Sequence, residues 1–168
     1  MRHETLATER RAPITPEDAQ LLVEHGIQLT VEESAQRASP IGEYAAAGCR
    51  IAAPGGWVSS PEGDYVIGLK RLPPQPPALR NRHIYFGHVY KGQPGGRALF
   101  ERFEAGGGAL LDLEYLVDGN GQRVAAFGYW AGYAGAALAV LHRRGLLSAP
   151  LTSLFQGRSG RHAAGARR

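Results

Sequence analysis

Apolar residues in this chain come in short runs broken by Gly, Pro and charge, and the runs change period from one stretch to the next. VIGL leads into Lys70 and HIYFG leads into His88. Runs this short, bounded by Pro and Gly, predict buried strands of a parallel sheet. The stretch ITPEDAQLLVEHG has the marks of a helix: Thr15 as N-cap, Pro16 at the first helical position and Asp18 three residues on to close a capping box. Leu21, Leu22 and His25 then fall at helical spacing, and Gly26 supplies the stop. RHET reads as a brief first strand, IQLTVEE alternates as a strand, IGEYAAAG predicts a short helix ended by Gly48, and CRIAA is a strand again.

The remaining elements follow the same alternation. GGWVSSPEGDY predicts a loop with one helical turn around Trp57, and PPQPP a stiff surface connection, since each Pro fixes φ and lacks a donor. QPGGRALFERFEAGGG predicts a helix with Leu99, Phe100 and Phe103 on one face and GGG as a flexible exit; ALLDLEYLV follows as a strand, with DGNGQ as a hairpin-type turn into RVAAF. GYWAGYAGAALAVLHRRG closes the regular pattern as a long Gly/Ala-rich helix. Its glycines, spaced G-x-x-x-G-x-x-G, give a smooth face for close packing rather than a dinucleotide cradle, so self-association through Gly128 to Arg144 is expected. The fold class predicted is α/β, a layered domain with a mostly parallel sheet and flanking helices. One domain over residues 1–147 and a disordered tail over 148–168 are the expected organisation.

Charge adds one qualification. Of 19 basic residues, Arg158, Arg161, Arg167 and Arg168 lie in the final eleven positions; without them 15 basic residues face 15 acidic ones, so the body is neutral. A basic pI of about 9.5 is therefore a property of the tail and gives little support to nucleic-acid binding. The longest apolar runs fall well short of the ~20 residues that span a bilayer, and the amino end MRHETLATERR lacks an apolar signal core, which predicts residence in the cytoplasm. Cys49 is the single cysteine, which leaves no internal disulfide framework and no cysteine zinc cage; no metal is expected.

Parallel sheets gather ligand groups beyond the carboxyl ends of their strands, and Lys70 and His88 sit at two such ends. A lysine held among apolar neighbours and a histidine are residue types able to pass protons near pH 7. On residue type alone the alternative stays open that the lysine reaches solvent and the histidine bonds to backbone.

The segments ERRAPITP, IGLK followed by LP, HIYFGHVYKGQ, LLDLEYL and RVAAFGYWAGYAGAAL, in this order, resemble the amino-terminal substrate domain of NAD-dependent, lysine-forming saccharopine dehydrogenases over residues 1–147. Alanine dehydrogenase and proton-translocating transhydrogenase are more distant relatives of that pattern. The resemblance implies a flavodoxin-like substrate domain that works beside a Rossmann domain binding NAD. It implies oxidation of saccharopine to L-lysine and 2-oxoglutarate, with Lys70 as general base and His88 as second acid–base group. It also implies substrate contacts from Arg11, Gln93, Arg123 and Phe127, and supporting roles for Glu9, Lys91 and Glu114. Three positions depart from the family pattern: Leu6 stands where a Lys is usual, Arg71 where an acid follows the base, and Gln122 where an Arg meets the cofactor. No Rossmann unit follows Leu147, so a truncated frame, inactive alone, is the expectation. The alternatives are a non-catalytic amino-acid or dicarboxylate binding module and an alanine dehydrogenase-like fragment.

Overall fold

The computed structural model describes residues 1–91, 94–126 and 128–147, and the chain divides into two compact units, Met1–Ala125 and Ala126–Arg168. In the first unit β1 (Thr30–Glu32) pairs with β2 (Arg50–Ala52), and β3 (Tyr65–Ile67), β4 (Arg82–Tyr85) and β5 (Ala109–Asp112) form a second sheet in that order. Each of these strand pairs is parallel, and α1 (Pro16–Glu24), α2 (Ile41–Ala46) and α3 (Gly96–Gly106) supply the helices, as the alternating pattern predicts. The extended residues 1–4 run between the two sheets. Glu32 N–H donates to the Met1 carbonyl at 3.0 Å and Arg2 N–H to the Ile67 carbonyl at 3.0 Å, so Met1 and Arg2 bond to one sheet each, but RHET forms no strand, which corrects that expectation.

Thr15 caps α1 as its sequence predicts: its hydroxyl accepts the Asp18 N–H at 3.2 Å and donates to the Asp18 carboxylate at 2.9 Å. The buried face of α1, however, is Ala19 with Val23, four residues apart, while Leu21 is 54% exposed. This corrects the Leu21, Leu22 and His25 face; the side chain that fits beneath the helix, against Val31, Tyr44 and Cys49, is the small one. Burial raises the pKa of the Cys49 thiol, in keeping with an inert buried cysteine.

The second core cluster joins Trp57, Val66, Leu72, Leu79, Tyr85 and Phe103, with Leu99 and Leu110 packed on it. Leu99 and Phe103 are thus the inner face of α3, whereas Phe100 is exposed and rests against the Tyr90 ring at 5.4 Å. The glycine run after α3 is not a loose exit: a Cβ on Gly106 or Gly108 would lie 2.2 or 2.4 Å from the Leu79 carbonyl oxygen, so only glycine lets the two backbones approach this closely. The strand expected over ALLDLEYLV stops at Asp112, where the chain tightens into a single 3₁₀ turn, Leu113–Tyr115. Asp118 organises the DGNGQ turn by accepting the Asn120 and Gln122 N–H groups, but among the described residues of RVAAF, 123–126, there is one antiparallel bridge, Val117 to Arg123, instead of a strand.

The second unit contains α4 (Tyr129–Arg143), on which Tyr129, Tyr133 and Val140 are exposed. Among the described residues no helix is long and apolar enough to cross a membrane. The tail from residue 148 lies outside the described residues.

Candidate active site

The parallel register of β3 and β4 continues past the strands: Gly68 N–H donates to the Ile84 carbonyl at 2.9 Å and Phe86 N–H to the Leu69 carbonyl at 3.3 Å. Lys70 and His88 therefore leave neighbouring strands at the same sheet edge, as the apolar runs predict. At the Lys70 end, the buried Glu4 carboxylate accepts the N–H groups of Leu69 (2.7 Å) and Lys70 (3.0 Å). Buried Arg2 pairs with Glu4 at 3.4 Å and donates to the Lys70 carbonyl. Gly68 leaves room for Arg2, since a Cβ there would lie 2.5 Å from its guanidinium.

The Lys70 side chain faces Glu9, with Nζ 3.8 Å from Oε2. Glu9 is also gripped by Arg11 through Nε (2.8 Å), Nη2 (2.5 Å) and the backbone N–H (3.0 Å). Burial alone would raise the pKa of the Glu9 carboxyl, but the Arg11 hydrogen bonds, with the Arg11 and Lys70 charges, bring it below its ordinary value. The same hydrogen bonds raise the pKa of Arg11.

Beyond β4 the chain turns sharply: His88 has φ of +54°, in the left-handed region, and its ring stacks on Phe86 at 6.0 Å. Its Nδ1 is buried and faces Glu114 Oε2 at 3.5 Å, while the side chain as a whole is 37% exposed, so the accessible part of the ring lies away from Nδ1. Glu114 pairs with Arg123 at 3.1 Å through its other oxygen. The Asp112 carboxylate accepts N–H groups from Gly87 (3.1 Å), His88 (3.0 Å) and Glu114 (3.0 Å).

The structure thus gathers six of the residues singled out in the sequence into two groups at one edge, Glu9–Arg11–Lys70 and Glu114–Arg123–His88. Gln93 and Phe127 lie outside the described residues, as does the side chain of Lys91, the last residue of the 3₁₀ turn Val89–Lys91. Gln122 is exposed on the Asp118 turn. Sequence reasoning missed Arg2, Glu4 and Asp112. Their local sequence carried little signal: Arg2 and Glu4 stand in the polar stretch RHET, and Asp112 alone closes an apolar run. Among the described residues no group of three or more His, Cys, Asp and Glu side chains converges on a metal-sized site. A cleft of about 360 Å³ between residues 57–62 and 76–81 lies toward the amino ends of β3 and β4, apart from this chemistry.

Residues 1–134 match the family model described as alanine dehydrogenase/PNT, N-terminal domain. The chain is 46% identical over 142 residues to a saccharopine dehydrogenase [NAD(+), L-lysine-forming] of Schizosaccharomyces pombe, covering 84% of this chain and 39% of the relative. It is 46% identical over 141 residues to the protein of that name from Emericella nidulans, covering 83% of this chain and 38% of the relative. It is 31% identical over 145 residues to the mitochondrial alpha-aminoadipic semialdehyde synthase of Rattus norvegicus, covering 86% of this chain and 15% of that protein. A solved transhydrogenase from Sinorhizobium meliloti shares the fold, with a TM-score of 0.55 and 20% identity over 68% of this chain and 34% of that one. The chain spans under two fifths of the length of these saccharopine dehydrogenases. By a family match over residues 1–134, with a fold to go with it, the chain belongs to the alanine dehydrogenase/PNT N-terminal domain family.

Proposed function

We propose that this chain is the substrate-binding half of an NAD-dependent saccharopine dehydrogenase, in which saccharopine, NAD and water give L-lysine, 2-oxoglutarate and NADH. The observation that carries the reading is the pairing of Lys70 and His88 at adjacent strand ends, each faced by a carboxylate that also holds an exposed-side arginine. Lys70 takes the proton of the substrate's secondary amine as that nitrogen is oxidised. His88 activates the water that hydrolyses the resulting imine, with Glu114 behind Nδ1 to stabilise the protonated ring. Arg11 and Arg123, with side chains 48% and 43% exposed, are placed to share their forks between Glu9 or Glu114 and the carboxylates of the substrate. Gln93 and Phe127 complete the proposed substrate contacts, with Lys91 in support, in a cytoplasmic enzyme.

NAD, when bound, supplies the hydride acceptor. The glycines of the α4 region do not fit a cradle for it: Gly132 and Gly135 lie inside the helix rather than in a strand-to-helix turn. No residue here is assigned to the dinucleotide.

Calorimetry with saccharopine, L-lysine and 2-oxoglutarate, each with and without NAD, tests the reading. Saccharopine is expected to bind the wild-type chain and to bind at least tenfold more weakly to Arg11→Ala. Absence of binding by all three ligands under both conditions would overturn it. Lysine or 2-oxoglutarate binding that is indifferent to Lys70→Met and His88→Gln would favour a non-catalytic binding module instead.

A further inference from the structure

We propose that Asp112 is the positioning residue of the His88–Glu114 pair, a role that deepens the reading above and rests on it for its catalytic meaning. Asp112 closes β5, and its carboxylate is the common acceptor for three backbone N–H groups drawn from two strand ends. Oδ1 takes Gly87 and Glu114 at 3.1 and 3.0 Å; Oδ2 takes His88 at 3.0 Å. The bond to Glu114 is what any N-cap of a 3₁₀ turn makes. The bonds to Gly87 and His88 reach back 25 and 24 residues and have no part in that cap.

Two features of the β4 end make sense only with this carboxylate in place. His88 holds φ at +54°, a left-handed region that disfavours a residue bearing a side chain and persists only where the surroundings fix it. The N–H bond to Asp112 at that residue, with another at the residue before, is the fixing contact. Gly87 must come close: a Cβ there would lie 3.2 Å from Asp112 Oδ2 and 2.9 Å from the Leu110 side chain. Because His88 and Glu114 hang from the two oxygens of one group, Asp112 sets where Nδ1 meets Oε2, at 3.5 Å. The same device recurs one strand over, where Glu4 accepts the N–H groups of Leu69 and Lys70.

Nuclear magnetic resonance on the full chain tests this without a ligand. Glu114→Gln is expected to shift the His88 ring resonances in the wild-type background, and to shift them by less than half as much in an Asp112→Asn background. Asp112→Asn is also expected to speed amide exchange at Gly87, His88 and Glu114 at least tenfold relative to Ile84 on the same sheet. Leu110→Ala, which loosens the core beside Asp112, should leave the response to Glu114→Gln intact. Should the Asp112 variant fail to fold, acid titration of the wild type serves: the amide protons of Gly87, His88 and Glu114 must move together as their shared acceptor takes a proton. An undiminished response in Asp112→Asn, an equal loss in Leu110→Ala, or three amides that titrate independently would overturn the proposal. Absence of saccharopine binding would overturn the functional reading and leave this one standing.

Discussion

Lowering the pH from 7 to 5 should destabilise the first unit through a single imidazole. His83 on β4 is fully buried, and both of its ring nitrogens lack a hydrogen-bond partner among the described residues. Its ring meets Trp57 at 5.2 Å and Phe103 at 5.5 Å, both edge-on, and the charges that bear on it are those of Arg2 and Arg102. Removal from water, then repulsion by these two arginines, pushes its pKa from 6.5 down to about 4. A depressed folded pKa means that the unfolded chain takes up the proton first. The stability is therefore complete above about pH 6.5 and is lost as pH falls towards 4. At about 1.4 kcal/mol per pH unit, the loss is roughly 2 kcal/mol at pH 5 and roughly 3 kcal/mol at pH 4. His83→Leu keeps an apolar side chain of similar size and removes the titration. Urea unfolding of both proteins, followed by far-ultraviolet circular dichroism because Trp57 touches the site, gives the stability difference at each pH. Other titrating groups cancel in that difference. The gap between the two proteins is expected to move by about 2 kcal/mol between pH 7 and pH 5, against the wild type. Stability curves that stay parallel within about 0.5 kcal/mol over this range would refute the argument.

Two further outcomes follow from the packing. Gly106→Ala places a methyl 2.2 Å from a backbone oxygen that cannot rotate away, so a loss of at least about 3 kcal/mol in urea unfolding is expected, against about nil for alanine at the exposed Gly119, where the space beside the backbone is open. Arg2→Met strands the buried Glu4 carboxylate and should cost about 3–5 kcal/mol in thermal unfolding, with Arg2→Met/Glu4→Gln together costing less than the single change.

Lys70 and His88 were legible because the sheet itself announces them: each ends a short apolar run, and parallel strands deliver such ends to one edge. The carboxylates that hold them were not. A lone Asp112 in LLDLEYL or Glu4 in RHET reads as an ordinary solvated position until the chain is folded, because the partners that matter to the strand ends are N–H groups 24 to 66 residues away and amides carry no sequence signal. The α1 face was misjudged because leucine outweighs alanine in any hydropathy pattern, yet the space under the helix admits Ala19 and turns Leu21 outwards. The Gly106–Gly108 run was misjudged for a related reason: flexibility and close approach both call for glycine, and only the position of Leu79 tells them apart.

Arg71 is the departure that bears most on the proposed chemistry, since an acid is the residue expected there, beside Lys70. In the structure Arg71 is exposed, and the carboxylate facing Lys70 comes instead from Glu9, across the fold. Glu9 is shared with Arg11, just as Glu114 is shared between His88 and Arg123. Each half of the site therefore has the same three parts: a carboxylate with 5% or 11% of its side chain exposed, a lysine or histidine at 39% or 37%, and an arginine at 48% or 43%. Under the proposed function, a substrate carboxylate that engaged either arginine would draw on the ion pair that also faces Lys70 or His88, and Glu9 and Glu114 would tie substrate binding to the electrostatic setting of those two groups. The acid missing next to Lys70 changes which part of the chain supplies the countercharge and leaves its presence intact.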